Sequence, residues 1–345
     1  MAISNDLLSS TLYSIRDGEV DELFQKVAFL DNCRKKGGIE YEDGGIKIQR
    51  PLSIAEHSSI TQLPTGYEAV NLAVQDVLQP AVYEWADFVA PIVITKKEEL
   101  ENQGEKAIVK IVEARMRSVM GMLRRELNRQ ILTGGSTILT DINTLNGDVG
   151  GFLEAVSTGS QVNTVGGVSK ATFATTTGWN NQARDLINSF SANGILAMQQ
   201  ASIQASSVAP MGAIDLVLLS EAGMANYRRA LFAQERYINE TVLDAGRMQL
   251  AFGGAVVEQD IELGVNYAGI NFAPSGGFAG AGALTGYMLN FDAIKMCFHS
   301  DADFAVSPFE HVTGTTARAA QLYVKTQLIA DHLGSNAILV RGDVN

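Results

Sequence analysis

The 345-residue chain contains little of what would tie a protein to a membrane or to an oxidising compartment. Its two cysteines, Cys33 and Cys297, lie far apart in sequence and form no metal-binding or disulfide pattern. No apolar run approaches the ~18 residues that a membrane-spanning helix needs, and the opening MAISNDLLSS lacks the features of a secretory signal. The sequence therefore predicts two buried thiols in a reducing compartment and no membrane partner.

A catalytic or cofactor-binding constellation is also missing. No two of the four histidines stand at metal-ligand spacing. The motif GAGALTG at 280–286 mimics a dinucleotide-binding loop, but it leads into a predicted strand, so no phosphate would meet a helix N-terminus. A cytosolic nucleotide-dependent enzyme would need a phosphate-binding loop that the sequence does not supply. We therefore expect no enzyme activity, no cofactor and no metal site.

Charge is scarce and unevenly distributed. Charged residues make up 19% of the chain, whose formal net charge is −12. Between Gly134 and Met211 the sequence carries only six of them: Asp141, Asp148, Glu154, Lys170, Arg184 and Asp185. A free monomer normally displays more surface charge than this, so the segment favours self-association. A flexible loop region rich in glycine and serine is the alternative.

The most distinctive feature that the sequence does contain is a long helix with a basic face. AIVKIVEARMRSVMGMLRRELNRQILTGG predicts a helix over 104–133, with an apolar stripe formed by Ile108, Val112, Met116, Val119, Leu123 and Leu127. A different face carries four basic residues within roughly 40° of one another: Lys106, Lys110, Arg117 and Arg124. From Lys106 to Thr133 the net charge is +5, so the remainder of the chain carries −17.

The first 38 residues predict an arm rather than a domain. One apolar set at helical spacing ends at Asp17–Gly18, and a second ends at Lys35–Gly38, where basic residues and glycine are typical of a helix terminus. Two short amphipathic helices cannot form a core of their own. Each must therefore pack on another surface.

The next segment, GIEYEDGGIKIQRPLSI, predicts a β-hairpin over 39–52. Apolar and acidic residues alternate up to the turn residues at 43–45, and the alternation then resumes. An isolated two-stranded hairpin is marginally stable in water. Its apolar face therefore needs a partner, which is either a neighbouring subunit or the chain's own core. The residues of this face are Ile39, Tyr41, Ile46 and Ile48.

The rest of the chain mixes predicted helices and strands. Helical patterns occupy 70–78, 179–190, 195–205 and the residues after Ser220, which is a favoured N-cap. Strand patterns occupy 88–94, 214–219, 294–298, 322–329 and NAILVRG near the end of the chain.

This order of parts resembles the major capsid proteins of tailed double-stranded-DNA bacteriophages. The likeness covers most of the chain and includes the passages TVGGVSKATFATTTGWNNQARD, IDLVLLSEAGMANYRRAL and YMLNFDAIKMCFH…ILVRG. It implies an α+β capsid fold of the Hong Kong 97 type. The parts expected are an N-terminal arm (1–38), an extended loop (39–67), a peripheral domain (68–204) with its spine helix (104–133), an axial domain (205–285) and returning strands (286–345).

The resemblance also implies a structural function. The chain is expected to self-assemble as hexamers and pentamers into an icosahedral virion shell, in the host bacterial cytoplasm. Expected partners are further copies of the chain, a separate scaffolding protein, portal and decoration proteins, and packaged DNA held by non-specific charge. No lysine–asparagine crosslinking pair can be matched. The main alternative is an encapsulin-like nanocompartment, which shares the fold but encloses cargo enzymes.

Within such a shell, the basic face of the long helix is expected to face the interior, because packaged DNA is densely negative. Two alternatives remain open for Lys106, Lys110, Arg117 and Arg124. They pair with Glu40 or Glu42 of a neighbour's hairpin, or they are simply solvated.

Overall fold

The computed structural model describes the residues 5–53, 62, 66, 77–101, 105–133, 139–140, 142, 145, 164–170, 179, 181–185, 194–208, 212–233, 241–242, 248–260, 263 and 284–340. The α-helices within them are α1 (Asn5–Lys26), α2 (Ala28–Lys35), α3 (Lys96–Glu101), α4 (Glu105–Thr133), α5 (Ile195–Val208) and α6 (Glu221–Ala233).

The strands of the first half are β1 (Ile39–Glu42), β2 (Lys47–Ser53), β3 (Leu78–Glu84), β4 (Ala86–Thr95), β5 (Thr164–Val165) and β6 (Val168–Ser169). Those of the second half are β7 (Gln182–Asp185), β8 (Leu216–Leu219), β9 (Thr241–Val242), β10 (Met248–Phe252), β11 (Ala255–Gln259), β12 (Leu284–Leu289), β13 (Ile294–His299), β14 (Ala305–Val306), β15 (Glu310–His311), β16 (Ala317–Ala330) and β17 (Ala337–Val340).

Strand β16 is the central strand of a six-stranded sheet. β4 pairs with it antiparallel along 317–326, and β13 pairs with its last residues. The short strands β14 and β15 also pair with β16, and β1 pairs in parallel with β13. Leu322, Val324 and Leu328 are buried at alternate positions of β16, which confirms the strand that the period-2 pattern predicted.

Helix α4 packs against this sheet and confirms the predicted long helix. Val112, Met116 and Leu127 of its apolar stripe are buried in the same core as Ile92 and Ile94 of β4. Helix α1 also packs against α4. The predicted stripe therefore serves as the apolar contact between the helix and the sheet.

A seven-stranded sheet has the strand order β7-β17-β12-β8-β11-β10-β9, and α5 and α6 pack on it. It has a core of its own, which includes Met198, Val217 and Tyr227. As the sequence predicted, Ser220 caps α6: its Oγ accepts a hydrogen bond from the Gly223 backbone N–H at 3.1 Å.

Buried polar contacts join the seven-stranded sheet to the helices beside the six-stranded sheet. The Asn32 amide of α2 donates to the Glu258 carboxylate at 3.3 Å, and the Asn128 amide of α4 donates to Asp260 at 3.0 Å. The Tyr287 hydroxyl donates to the Leu132 carbonyl at 3.2 Å. These directional bonds fix how the two sheets meet, because a buried polar group left without its partner is costly.

The arm differs from the prediction in one respect. Helix α1 does not end at Asp17–Gly18 but continues to Lys26. Leu23 and Phe24, in the part of the helix beyond Gly18, are buried in the chain's own core. Their burial outweighs the weak helix preference of a single exposed glycine. The helix ends before Val27, whose backbone is extended.

The predicted hairpin over 39–52 is wrong. β1 pairs in parallel with β13, so that Ile39 lies opposite Met296. β2 pairs instead with β3, so that Ile48 lies opposite Tyr83. Alternation within a segment shows which of its residues share a face, but it does not show which other strand the segment pairs with.

Two predicted helices are also corrected where the structure describes them. Leu78, at the end of the first pattern, begins β3, and most of that pattern lies outside the described residues. In the second, Gln182–Asp185 form β7, which pairs in parallel with β17. Pairing with a distant strand overrides the local helical spacing at 182–185, and at the other site it shows only that Leu78 belongs to a strand.

Both thiols are free and buried, as predicted, and burial raises the pKa of Cys33 and of Cys297 to about 12. None of the described helices is long and apolar enough to cross a membrane. The described residues also contain no group of three or more His, Cys, Asp or Glu side chains placed to hold a metal ion.

Gly286 offers a test of the seven-stranded sheet. A Cβ here would overlap the Leu218 carbonyl oxygen and lie 2.8 Å from a Leu219 methyl group. We expect Gly286→Ala to lower the free energy of unfolding by about 3 kcal/mol or more, because strands β8 and β12 would have to separate. Gly18→Ala, at an open position in α1, should instead raise it by about 0.5–1 kcal/mol. Urea denaturation measures both, and equal stabilities would contradict the close approach.

Candidate functional site

Helix α4 brings three of the four predicted basic residues onto one face. Lys110 and Arg117 are exposed and Arg124 is half-buried. Because they are seven residues apart, consecutive members are separated by roughly 10 Å along the helix axis. Lys106 lies in the same helix, but its side chain is outside the described part of the structure.

The positive charge of this face is partly neutralised within the chain. The Arg117 Nε lies 3.1 Å from Glu19 Oε1 of α1, so the arm helix covers part of the face. Within the described residues, neither Lys110 nor Arg124 makes an ion pair. These two side chains therefore carry the solvent-facing positive charge that the structure describes on the predicted face.

Glu40 and Glu42, the residues suggested to pair with this face in a neighbour, already make ion pairs within the chain. Arg50 of the same chain contacts both carboxylates, and Lys295 also contacts Glu40. Both carboxylates thus have basic partners within their own chain.

The four residues predicted to contact another subunit do not share one surface. Ile48 is only 1% exposed and belongs to the chain's own core, and Ile39 is half-buried. Tyr41 and Ile46 are 58% and 92% exposed, respectively. Burial, followed by the charge of the nearby Asp303 carboxylate, raises the pKa of the Tyr41 hydroxyl.

Strands β2 and β3 form a two-stranded ribbon, here called the ribbon, which the sequence prediction missed. Its inward face carries the buried side chains of Ile48, Leu52, Ala81 and Tyr83. Its outward face is exposed and carries Pro51, Pro80 and Leu78, the last of them 60% exposed. Pro51 and Pro80 lie opposite each other in the register, and proline has no backbone N–H with which to bond its cross-strand neighbour.

One signal could have revealed the ribbon. Pro80 argues against a helix that continues past Leu78, because proline lacks a backbone N–H and clashes with the preceding turn. The strand that pairs with β3, β2, lies 25 or more residues earlier in the chain. Local periodicity could not have identified that pairing.

The root of the ribbon lies on the six-stranded sheet. The Tyr83 hydroxyl donates to the Ala330 carbonyl at 3.2 Å and accepts from the Ala330 N–H at 3.3 Å. The Gln327 amide donates to the Glu84 carbonyl, and the Trp85 Nε1 donates to the Gly45 carbonyl at 3.0 Å. The ribbon therefore leaves its own sheet from an anchored position, with its outward apolar face uncovered by the described residues.

A short hairpin of β5 and β6 supports the ribbon from the side. The Val82 N–H donates to the Gly166 carbonyl at 2.9 Å. A Cβ at Gly166 would lie 2.8 Å from the Ala81 Cβ, whereas one at Gly167 would meet nothing within 4 Å. Both glycines have positive φ, at +56° and +77°.

Comparisons with known proteins identify the fold. No protein-family model matches the sequence, and no curated protein is significantly similar to it. Among solved structures, the chain is similar to the capsid protein in the cyanophage A-1(L) capsid asymmetric unit, with a TM-score of 0.59, 14% identity, and coverage of 92% of this chain and 93% of that one.

Two further structures extend the comparison. The capsid of an empty GTA particle gives a TM-score of 0.53 at 10% identity, over 89% of this chain and 95% of that one. The SrpI encapsulin of Synechococcus elongatus PCC 7942 gives 0.52 at 8% identity, over 88% and 85%. At such identities the likeness establishes the fold alone, and it confirms the predicted α+β fold of the Hong Kong 97 type.

The matched glycines of the β5–β6 hairpin provide a test of the ribbon's support. Gly166→Ala and Gly167→Ala should each cost roughly 1–2 kcal/mol, because both residues have left-handed backbone conformations. Only Gly166→Ala should also push against Ala81, so we expect faster amide hydrogen exchange in 78–84 for that variant alone. Equal exchange in the two variants would mean that the hairpin does not support the ribbon.

Proposed function

We propose that this chain is a major capsid protein, the structural subunit of an icosahedral shell that encloses the double-stranded DNA of a tailed bacteriophage. The observation that carries the proposal is the end-to-end match to a phage capsid subunit, over 92% of this chain and 93% of that one. The structures compared are a phage capsid, a GTA capsid and an encapsulin shell, which supports a role as a shell subunit. The proposed role is therefore structural rather than enzymatic.

In the proposed shell, copies of the chain are the main partners, arranged as hexamers and pentamers. The outward face of the ribbon supports this arrangement, because Leu78, Pro80 and Pro51 expose apolar surface on a projecting element. We place the extended loop in the ribbon, whose strand β2 lies within the predicted range 39–67 and whose strand β3 lies beyond it. The arm remains 1–38, with the peripheral domain on the six-stranded sheet and the axial domain, proposed as 205–285, on the seven-stranded sheet.

The remaining partners follow from the same proposal. A separate scaffolding protein, a portal and decoration proteins would act with the shell, which would assemble in the host bacterial cytoplasm and end in the virion. DNA inside would be held by non-specific charge. Lys110 and Arg124 are the described residues proposed to face it, together with Lys106 and, where Glu19 leaves it free, Arg117.

An encapsulin-like shell is the second candidate, supported by the similarity to SrpI encapsulin at a TM-score of 0.52. The two functions share a fold and differ in what the shell encloses. The contents of the particle therefore decide between them.

Native particles containing this chain provide the test. After nuclease treatment of intact particles, we expect extraction to yield protected double-stranded DNA, and light scattering to give one large species. Shells filled with an enzyme and free of DNA would favour the encapsulin function. A chain that is monomeric at all concentrations, and absent from native particles, would overturn both.

The basic face of α4 gives a separate prediction. Reversing the charge of Lys110 and Arg124 to glutamate should leave empty-shell assembly near normal and reduce the number of DNA-filled particles about two-fold or more, because like charges would then face the packaged phosphates. Arg117 is left intact because it binds Glu19 of the arm.

The control for this variant reverses Lys26 and Arg229, which are exposed and lie outside α4. It changes the net charge by the same amount and should package normally. Failure of the Lys110/Arg124 variant before any shell forms would identify the face as a contact between subunits and contradict the DNA role.

A further inference from the structure

Five charged side chains meet where the ribbon crosses the six-stranded sheet; we call them the root network. Arg50 of β2 contacts Glu40, and its Nη2 lies 3.6 Å from Glu42 Oε1. Its Nε lies 3.7 Å from Asp331 Oδ1. Lys295 of β13 lies 2.5 Å from Glu40 and 3.3 Å from Asp331. Two cations thus join two carboxylates of β1 and one that directly follows β16.

The root network is sheltered from solvent. The exposure of its side chains ranges from 20% for Arg50 to 32% for Glu42. Partly buried pairs of this kind are screened less by salt than surface pairs are. The network is therefore a persistent contact between the ribbon and the sheet under ordinary ionic conditions.

Arg50 is the only charged side chain on the inward face of the ribbon within the described strands. The other buried side chains of that face are Ile48, Leu52, Ala81 and Tyr83. Apolar packing is non-directional and permits small rotations of one layer on another. A guanidinium, by contrast, donates hydrogen bonds to carboxylates only in a limited set of orientations. The hydrogen bonds of Tyr83 and Gln327 hold the ribbon at its base. Arg50 lies further out, opposite Ala81, and fixes the angle at which the ribbon continues beyond that base.

We propose that the root network fixes the direction in which the ribbon leaves the sheet, with Arg50 as the positioning residue. Buried ion pairs often add little net stability, and in some proteins they specify a unique geometry. Without Arg50 the apolar side chains and the hydrogen bonds of Tyr83 and Gln327 keep the ribbon attached at its base, but the angle of the ribbon is no longer unique. Only the consequence for shell shape rests on the proposed function, because a loosened root is detectable in the unassembled subunit.

The chain contains a natural reporter of this motion. Cys297 lies opposite Glu40 in β1 and opposite Gln327 in β16, and the Gln327 amide binds the ribbon at the Glu84 carbonyl. Its thiol is fully buried, with the pKa raised to about 12 by burial and by the charge of Glu42. Lifting the ribbon would expose it. Cys33, whose thiol donates to the Gly38 carbonyl, serves as the internal reference.

The electrostatic effect of Arg50 on the Cys297 thiol is opposite to the increase in reactivity that the proposal predicts, so the two effects can be told apart. Arg50 lowers the pKa of Cys297, so removing it should raise that pKa further and reduce the reactive thiolate. Any faster modification of Cys297 in an Arg50 variant must therefore come from greater access to the thiol.

The experiment compares Arg50→Met with Glu84→Gln in the unassembled subunit. Glu84→Gln removes the exposed Lys47–Glu84 pair, at 2.8 Å on the outward face of the same ribbon, without altering the root network. Alkylation at about pH 8, followed by mass spectrometry, should modify Cys297 about tenfold faster in Arg50→Met than in the wild type. Cys33 should react as slowly as in the wild type, and Glu84→Gln should change neither rate.

Two results would overturn the proposal. Wild-type reactivity of Cys297 in Arg50→Met would mean that apolar packing and the hydrogen bonds of Tyr83 and Gln327 set the root without Arg50. Equal acceleration of both thiols would mean that Arg50 supports the whole fold. If Arg50→Met does not fold, Arg50→Lys carries the same test, because it keeps the charge and loses the planar fork, and it should accelerate Cys297 alone by a smaller factor.

Shell shape gives the second readout. We expect wild type and Glu84→Gln to form particles of uniform diameter, and Arg50→Met to form a broader range of diameters. Uniform shells from a variant whose Cys297 reacts quickly would contradict a role in shell geometry. Absence of shells in the wild type would count against the proposed function, while the thiol experiment would still decide the role of Arg50.

Discussion

The structure depends on the pairing and covering of strand β16. It pairs with β4 along one stretch and with β13, β14 and β15 along others, so most of its backbone groups are hydrogen-bonded within the sheet. Leu322 and Val324 point into the core that α4 helps to form, whereas Gln327 and Ile329 are buried where the ribbon root lies. A fourteen-residue strand buried in this way must be apolar at nearly every second position, and this requirement shapes the end of the sequence.

Around this strand, some elements are anchored by contacts within the chain, and other side chains are exposed on the surface. The ribbon root, the arm helix and α4 are held by contacts within the chain, including the Arg117–Glu19 pair. Leu78 and Ile46 remain exposed, as do the basic side chain of Lys110 and the uncovered face of β4 around Val89. Apolar and charged surfaces of this kind suit the proposed shell subunit, which would contact copies of itself on several sides.

The elements that sequence reasoning predicted correctly are those whose signals are local. The apolar stripe of α4, the Ser220 cap and the alternation in β16 each lie within one segment, and the structure confirms all three. The errors concern partners distant in sequence. Nothing within 39–52 indicates that β1 would pair with β13, or that β2 would pair with β3 across a long insertion. The same limit applied to β7, where pairing with β17 replaced a predicted helix.

An electron cryo-microscopy reconstruction of the native particle tests most directly whether this chain is a shell subunit with an anchored ribbon. We predict a closed icosahedral shell in which Tyr83 remains on its own β16, and in which Leu78 and Pro80 are buried against a neighbouring subunit. Particles without this chain in the shell would contradict the account. So would a shell in which the ribbon root has left its own sheet, or in which Leu78 and Pro80 stay exposed to solvent.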